Sequence, residues 1–174
     1  MRNRKQRQRG SAMIEFTLVG IPIIFVLISV FEISRAMWNY HTMAYAIKEG
    51  TRYAIVHGFD CTSDPNNSCG VTLGQVAQRI EYSGIGLDPT QLSLTFNSNG
   101  TAITCNLDDK TPSACVANTT PWPLAPADTP GRNIIISGTL PFQSALAMFW
   151  PGAGPGINFP TFYFSASSSD IIQF

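Results

Sequence analysis

The sequence predicts an α+β protein: a long N-terminal membrane-spanning helix, then a small, mostly antiparallel sheet ectodomain with one short helix. Three observations predict this. Residues 11–31 form a 21-residue run in which Glu15 is the sole charged side chain. Apolar residues then continue at helical steps past the end of that run. The remainder breaks into short alternating stretches punctuated by Gly, Pro and Asn, the pattern of small strands and turns.

The apolar run comes first in the argument because it sets the compartment. As a helix, 21 residues rise roughly 30 Å, the hydrocarbon thickness of a bilayer. The uncharged part, 16–31, is 16 residues and short for a full crossing, which places Glu15 near the cytoplasmic edge. Arg2, Arg4, Lys5, Arg7 and Arg9 all precede Gly10 with no acid among them, so the positive-inside rule holds residues 1–10 in the cytoplasm and sends everything after residue 31 outside. Without that basic leader the chain keeps 6 basic and 11 acidic residues, a net of −5, a poor surface for nucleic acid. Hydrophobic residues make up 44% and charged residues 13%, consistent with an anchored chain. Pro22 lies inside the run and predicts a kink or a loosened turn.

Beyond the run, Ile33, Ala36, Met37, Tyr40, Met43, Ala44, Ile47, Ala54 and Ile55 recur mostly three and four residues apart, with Glu32, Arg35, Lys48, Glu49 and Arg52 between them. One helix over 11–57 follows, membrane-spanning to about residue 31 and amphipathic beyond, with His57-Gly58 as its stop. Gly50 weakens it by about 1 kcal/mol relative to Ala. Residues 58–174 form the extracytoplasmic domain. Within it 71–82 reads as the short helix and 92–96 as a half-buried strand. Asn97-Ser98-Asn99-Gly100 is turn chemistry, and 101–107 is the return strand. The five prolines of 108–131 predict a long loop. Residues 132–140 read as a strand, 142–150 as one or two helical turns, 152–156 as an irregular loop and 159–167 as a last strand.

The four cysteines, Cys61, Cys69, Cys105 and Cys115, all fall in the exported part, where disulfides are the default. No C-x-x-C is present and both histidines, His41 and His57, sit on the long helix, so neither zinc nor a redox pair is indicated. Four cysteines allow three pairings; the expectation is the local one, Cys61–Cys69 and Cys105–Cys115. Catalysis finds little support: no histidine reaches the sheet region to activate its serines. Asp108-Asp109 reads as a solvated pair, and Asp60–Asn67 lacks calcium-loop spacing. No cofactor and no metal are expected. Asn66 and Asn118 match a glycosylation sequon, a weak signal.

The N-terminal motif of basic leader, Gly10, four uncharged residues, Glu15-Phe16 and an apolar helix resembles a type IV prepilin. More narrowly, RGSAMIEFTLVGIPIIFVLISVFEISRAM followed by AIKEGTRYAIVHG resembles the TadE-like family of tight-adherence (Flp-type) pilus proteins. The shared features are Glu-Phe after the glycine, an early proline, Glu32 after the apolar run and the Glu49-Gly50-x-Arg52 element. The strong resemblance covers about residues 9–58; the closing NIIISGTLPF and FYFSASSSDII look more weakly like that family's final strands. Small major pilins of such systems usually carry Tyr after the glutamate and almost no ectodomain; Phe16 and the 117 residues of 58–174 are similar instead to a pseudopilin or minor pilin.

The resemblance implies a function and a set of partners. A prepilin peptidase would cut between Gly10 and Ser11. Glu15, beside Phe16, would then meet the Ser11 amine of a neighbouring subunit during assembly. The implied partners are that peptidase, other pilins and pseudopilins, the inner-membrane assembly platform and the membrane itself, with no nucleic acid. The implied site is the bacterial inner membrane, crossed once with the N-terminus cytoplasmic. The residues alone leave other readings open. Glu15 reaching only to headgroups is one. An unprocessed single-pass anchor for an unrelated ectodomain is a second, a type II secretion pseudopilin a third. The last is a secreted domain cut at the small-x-small site Ser34-Arg35-Ala36.

Overall fold

The computed structural model describes residues 5–57, 70–108, 110, 114–144 and 161–173. The chain divides into two compact units, Met1–Met37 and Trp38–Phe174. The division falls inside the first helix, α1 (Lys5–Ile55), not at its end. That helix is longer at its start than the sequence reading: it begins at Lys5 within the leader, not at residue 11, and ends at Ile55, two residues short of His57. Pro22 is accommodated within it.

In the first unit every large apolar side chain between Met13 and Ile33 is exposed except Ile28, which is half-buried. Its hydroxyls serve themselves: Thr17, Ser29 and Ser34 each donate to the carbonyl four residues earlier, at 2.8 Å. That is how a polar side chain is tolerated in hydrocarbon, where no water completes its bonding. The helix is long and apolar enough to cross a membrane, and none of its most apolar window is buried. This fits a single-pass membrane anchor.

The second unit is built on the end of α1, α2 (Leu73–Ser83) and a fully antiparallel sheet of β1 (Ser93–Ser98), β2 (Thr101–Asn106), β3 (Asn133–Phe142) and β4 (Phe162–Ile171), ordered β2-β1-β3-β4. The two-residue Asn99-Gly100 hairpin closes β1 onto β2 with both residues at positive φ (52° and 79°), which suits these two residue types. A capping box starts α2: Gln75 N donates to Thr72 Oγ1, and Thr72 N donates to Gln75 Oε1. One face of β1 and β3 carries Leu94, Phe96, Ile134, Ile136 and Leu140 into the core. Met43, Ala46, Ile47, Ala54 and Ile55 of α1 and Val76, Ala77 and Ile80 of α2 complete it.

Two glycines set how closely these layers meet. A Cβ on Gly138 would stand 2.6 Å from Ile47 Cδ1, so the bare backbone of β3 is where α1 rests on the sheet. A Cβ on Gly50 would overlap the Ile80 side chain, so Gly50 is where α2 crosses α1. The loop predicted over 108–131 has no helix or strand in its described part, 114–131, and that part packs onto the core. Trp122 is buried with its ring 5.2 Å from Phe96, edge-on. Its backbone is tied in by Trp122 N to Val71 O (3.0 Å), Leu73 N to Thr120 O (2.9 Å) and Leu124 N to Ser98 Oγ (3.0 Å). Cys105 and Cys115 are bridged, the second of the two local pairs expected. The strand predicted from 132 to 140 runs on through Phe142, and the last strand lies later than predicted, ending at Ile171. Of the helical turns expected over 142–150, Phe142 belongs to β3 and 143–144 are not helical; 145–150, the 152–156 loop, Cys61, Cys69 and Asn66 lie outside the described residues.

Candidate functional site

The residues singled out for processing and assembly all lie on α1. The backbone is helical at Gly10 and Ser11. A peptidase needs an extended backbone at the bond it cuts, so the leader must unwind locally to be cleaved. Gly10 makes that unwinding easier, since glycine costs a helix about 1 kcal/mol relative to Ala. The helical leader is thus compatible with cutting there, at a position where the helix is intrinsically weak.

Glu15 follows Ser11 by four residues, so both occupy the same face of α1, one turn apart. Glu15 is exposed, and Phe16 beside it is 76% exposed. The nearby hydroxyls can bond back to their own helix, but an ionised carboxylate is an acceptor only, and the helix interior offers no spare N–H. Kept charged in hydrocarbon, such a group calls for a cation close by. Further along α1, Arg35 stands 3.5 Å from Glu32.

The second unit offers a different kind of surface. Among its described residues no three His, Cys, Asp or Glu side chains converge as a metal site would require. Asp88 orders the turn after α2: its carboxylate accepts from Thr90 N (3.0 Å), Thr90 Oγ1 (2.7 Å) and Gln91 Nε2 (2.8 Å). The Thr90 hydroxyl holds that carboxyl below its ordinary value, although burial works against it. This is turn chemistry on an exposed residue.

The segment from the glycine to the end of the amphipathic helix matches one family model, described as TadE-like protein, over residues 10–52. Over these residues the chain is similar to TadE-like proteins. The match begins at Gly10 and takes in Glu15, Phe16, Pro22, Glu32 and the Glu49-Gly50-x-Arg52 element that the sequence reading singled out. No curated protein and no solved structure matches the chain. The TadE-like match stops within α1, so α2 and the four strands lie outside it. TadE-like proteins are pilus-associated structural proteins, so the match suggests involvement in tight-adherence pilus systems. Sequence reasoning missed the packing role of Gly50 inside the TadE-like segment. Its one signal was a glycine on the apolar side of an otherwise regular helical pattern.

Proposed function

We propose that the protein is a pseudopilin, or minor pilin, of a tight-adherence pilus, cleaved after Gly10 by a prepilin peptidase and acting in pilus assembly and surface attachment. The observation that carries the reading is the TadE-like match, which starts at Gly10 and continues through Glu15 into an exposed, membrane-length helix. In this reading the leader arginines hold the N-terminus in the cytoplasm, against the inner membrane. The peptidase acts there and frees the Ser11 amine. Glu15 of a neighbouring subunit receives that amine as the helices bundle, and the pair enters the apolar environment together. The chain contributes a structural subunit, not a catalyst. Its ectodomain is too large for a minimal shaft pilin and supplies a folded head on the helix.

Substitution of the processing glycine tests the reading. Gly10→Leu leaves the apolar run intact, so the chain still inserts. Cleavage fails because the peptidase no longer finds a residue without a side chain at the cut. Gel mobility with and without a co-expressed prepilin peptidase reads the outcome. Equal processing of the wild type and Gly10→Leu would contradict the assignment.

A further inference from the structure

The second unit gathers large apolar side chains, left exposed, at the end where its chain begins. Trp38 (63% exposed), Ile85 (75%), Phe162 (59%) and Tyr163 (68%) come from three segments distant in sequence. Two contacts bring them together. The 84–87 turn lies against Trp38: a Cβ on Gly86 would stand 3.5 Å from the Trp38 Nε1. The start of β4 lies against Tyr40, whose ring is 6.3 Å from that of Phe164. Trp38 and Tyr40 are two residues apart, about 200° around the helix, so the turn and the strand flank α1 from opposite sides. The result is a collar around α1, not a patch on one flank. At the other end of the unit, Gln173 N donates to Ile55 O (3.1 Å) and the exposed side chains include Arg52, Arg132 and Asp170. Ile171 is the one large apolar side chain exposed there among the described residues.

We propose that this collar is a lipid-contact surface, resting in the headgroup and glycerol region of the bilayer that α1 crosses. The proposal rests on the reading of α1 as a membrane anchor. Three features select lipid over a protein partner. Trp38 lies seven residues past Phe31, where the apolar run ends, about 10 Å along a helix and so close to the headgroups of the bilayer assigned to that run. The collar is rich in Trp and Tyr, whose apolar rings and single polar tips suit a boundary with oil on one side and water on the other. And it stands on two opposite sides of the helix, as contact with a plane favours, whereas a pairwise protein contact uses one side. Glu81 and Asp88 flank the turn that carries Ile85, which favours zwitterionic over anionic lipid. Held in this way, the second unit would have to shed lipid from its collar whenever the chain left the membrane.

Fluorescence quenching in vesicles separates the possibilities. The full chain is reconstituted in phosphatidylcholine brominated near either the carbonyl or the methyl end of its acyl chains. Trp38→Phe supplies the baseline. Tyr163→Trp and Ile85→Trp, each added to Trp38→Phe, report the collar, and Arg132→Trp reports the opposite end. The expected result is quenching of both collar probes above baseline, stronger with the shallow bromines, and none at the Arg132→Trp probe. Collar probes unquenched in a chain that floats with the vesicles would overturn the proposal, as would their crosslinking to a second copy in place of lipid. Failure to float would instead overturn the anchor reading. The unsubstituted chain gives an independent measurement: a photoactivatable phosphatidylcholine should label the peptides holding 82–86 and 162–164, and labelling absent from both would also overturn the proposal.

Discussion

Gly50 shows how a residue can be read correctly and explained wrongly from sequence. Helix propensity makes it a weak point. In the fold it is a contact point, because the missing side chain is the space that Ile80 fills. Gly50→Val should therefore destabilise the second unit by about 1–3 kcal/mol through overpacking, although valine is the better helix former. Thermal unfolding of the detergent-solubilised chain would show it as a lowered midpoint; an unchanged midpoint would mean that α2 does not press on α1 here. Glu15 is the opposite case, a residue whose oddity was legible at once. A carboxylate in an apolar run is costly, so the sequence itself raised the question of its partner. Glu15→Gln should leave insertion and cleavage after Gly10 largely intact. Crosslinking to other pilins and pilus-dependent attachment should fall, because breaking a buried ion pair costs about 3–5 kcal/mol. Normal crosslinking and attachment would leave Glu15 with no role beyond the headgroups.

Among the elements, those with a period were legible. Three- and four-residue steps located α1 past the apolar run, alternation located β1, the isoleucines 134–136 located β3, and Asn99-Gly100 located the hairpin between β1 and β2. What had no period was missed. The 108–131 segment reads as loop because its prolines break every pattern, yet it delivers Trp122 to the core beside Phe96. A buried tryptophan in a Pro-rich stretch was the available signal. The start of α1 was misplaced for another reason: residues 5–10 are polar and basic, and no apolar period marks them as helix. The Cys105–Cys115 bridge ties the beginning of this ordered segment to β2, where Cys115 N also donates to Asn106 O at 2.7 Å. Replacing both cysteines with serine should cost roughly 2–3 kcal/mol if the closed loop is unstrained. The loss would appear as a lowered unfolding midpoint without change in the secondary-structure signal of the folded state. No shift at all would show that the hydrogen bonds of the segment suffice without the bridge.

For the molecule as a whole, the family resemblance was legible where chemistry constrains the sequence tightly. A leader, a glycine, a carboxylate and a membrane-length helix form one constrained string, and the TadE-like match covers it from the glycine onward and stops within α1. The sheet is constrained only to fold, so its alternation gives an architecture and no role. The collar around Trp38 was invisible for a related reason: its members are spread from α1 to β4 and meet only in the folded unit. The central claim is that the chain is a prepilin-type substrate that loses its basic leader. N-terminal sequencing of the protein recovered from membranes, with and without an active prepilin peptidase, tests it most directly. The account predicts a mature chain beginning at Ser11 when the peptidase is active and an uncleaved chain beginning at Met1 when it is not. Met1 under both conditions, or a terminus at Met37 from cleavage after Ala36, would contradict it.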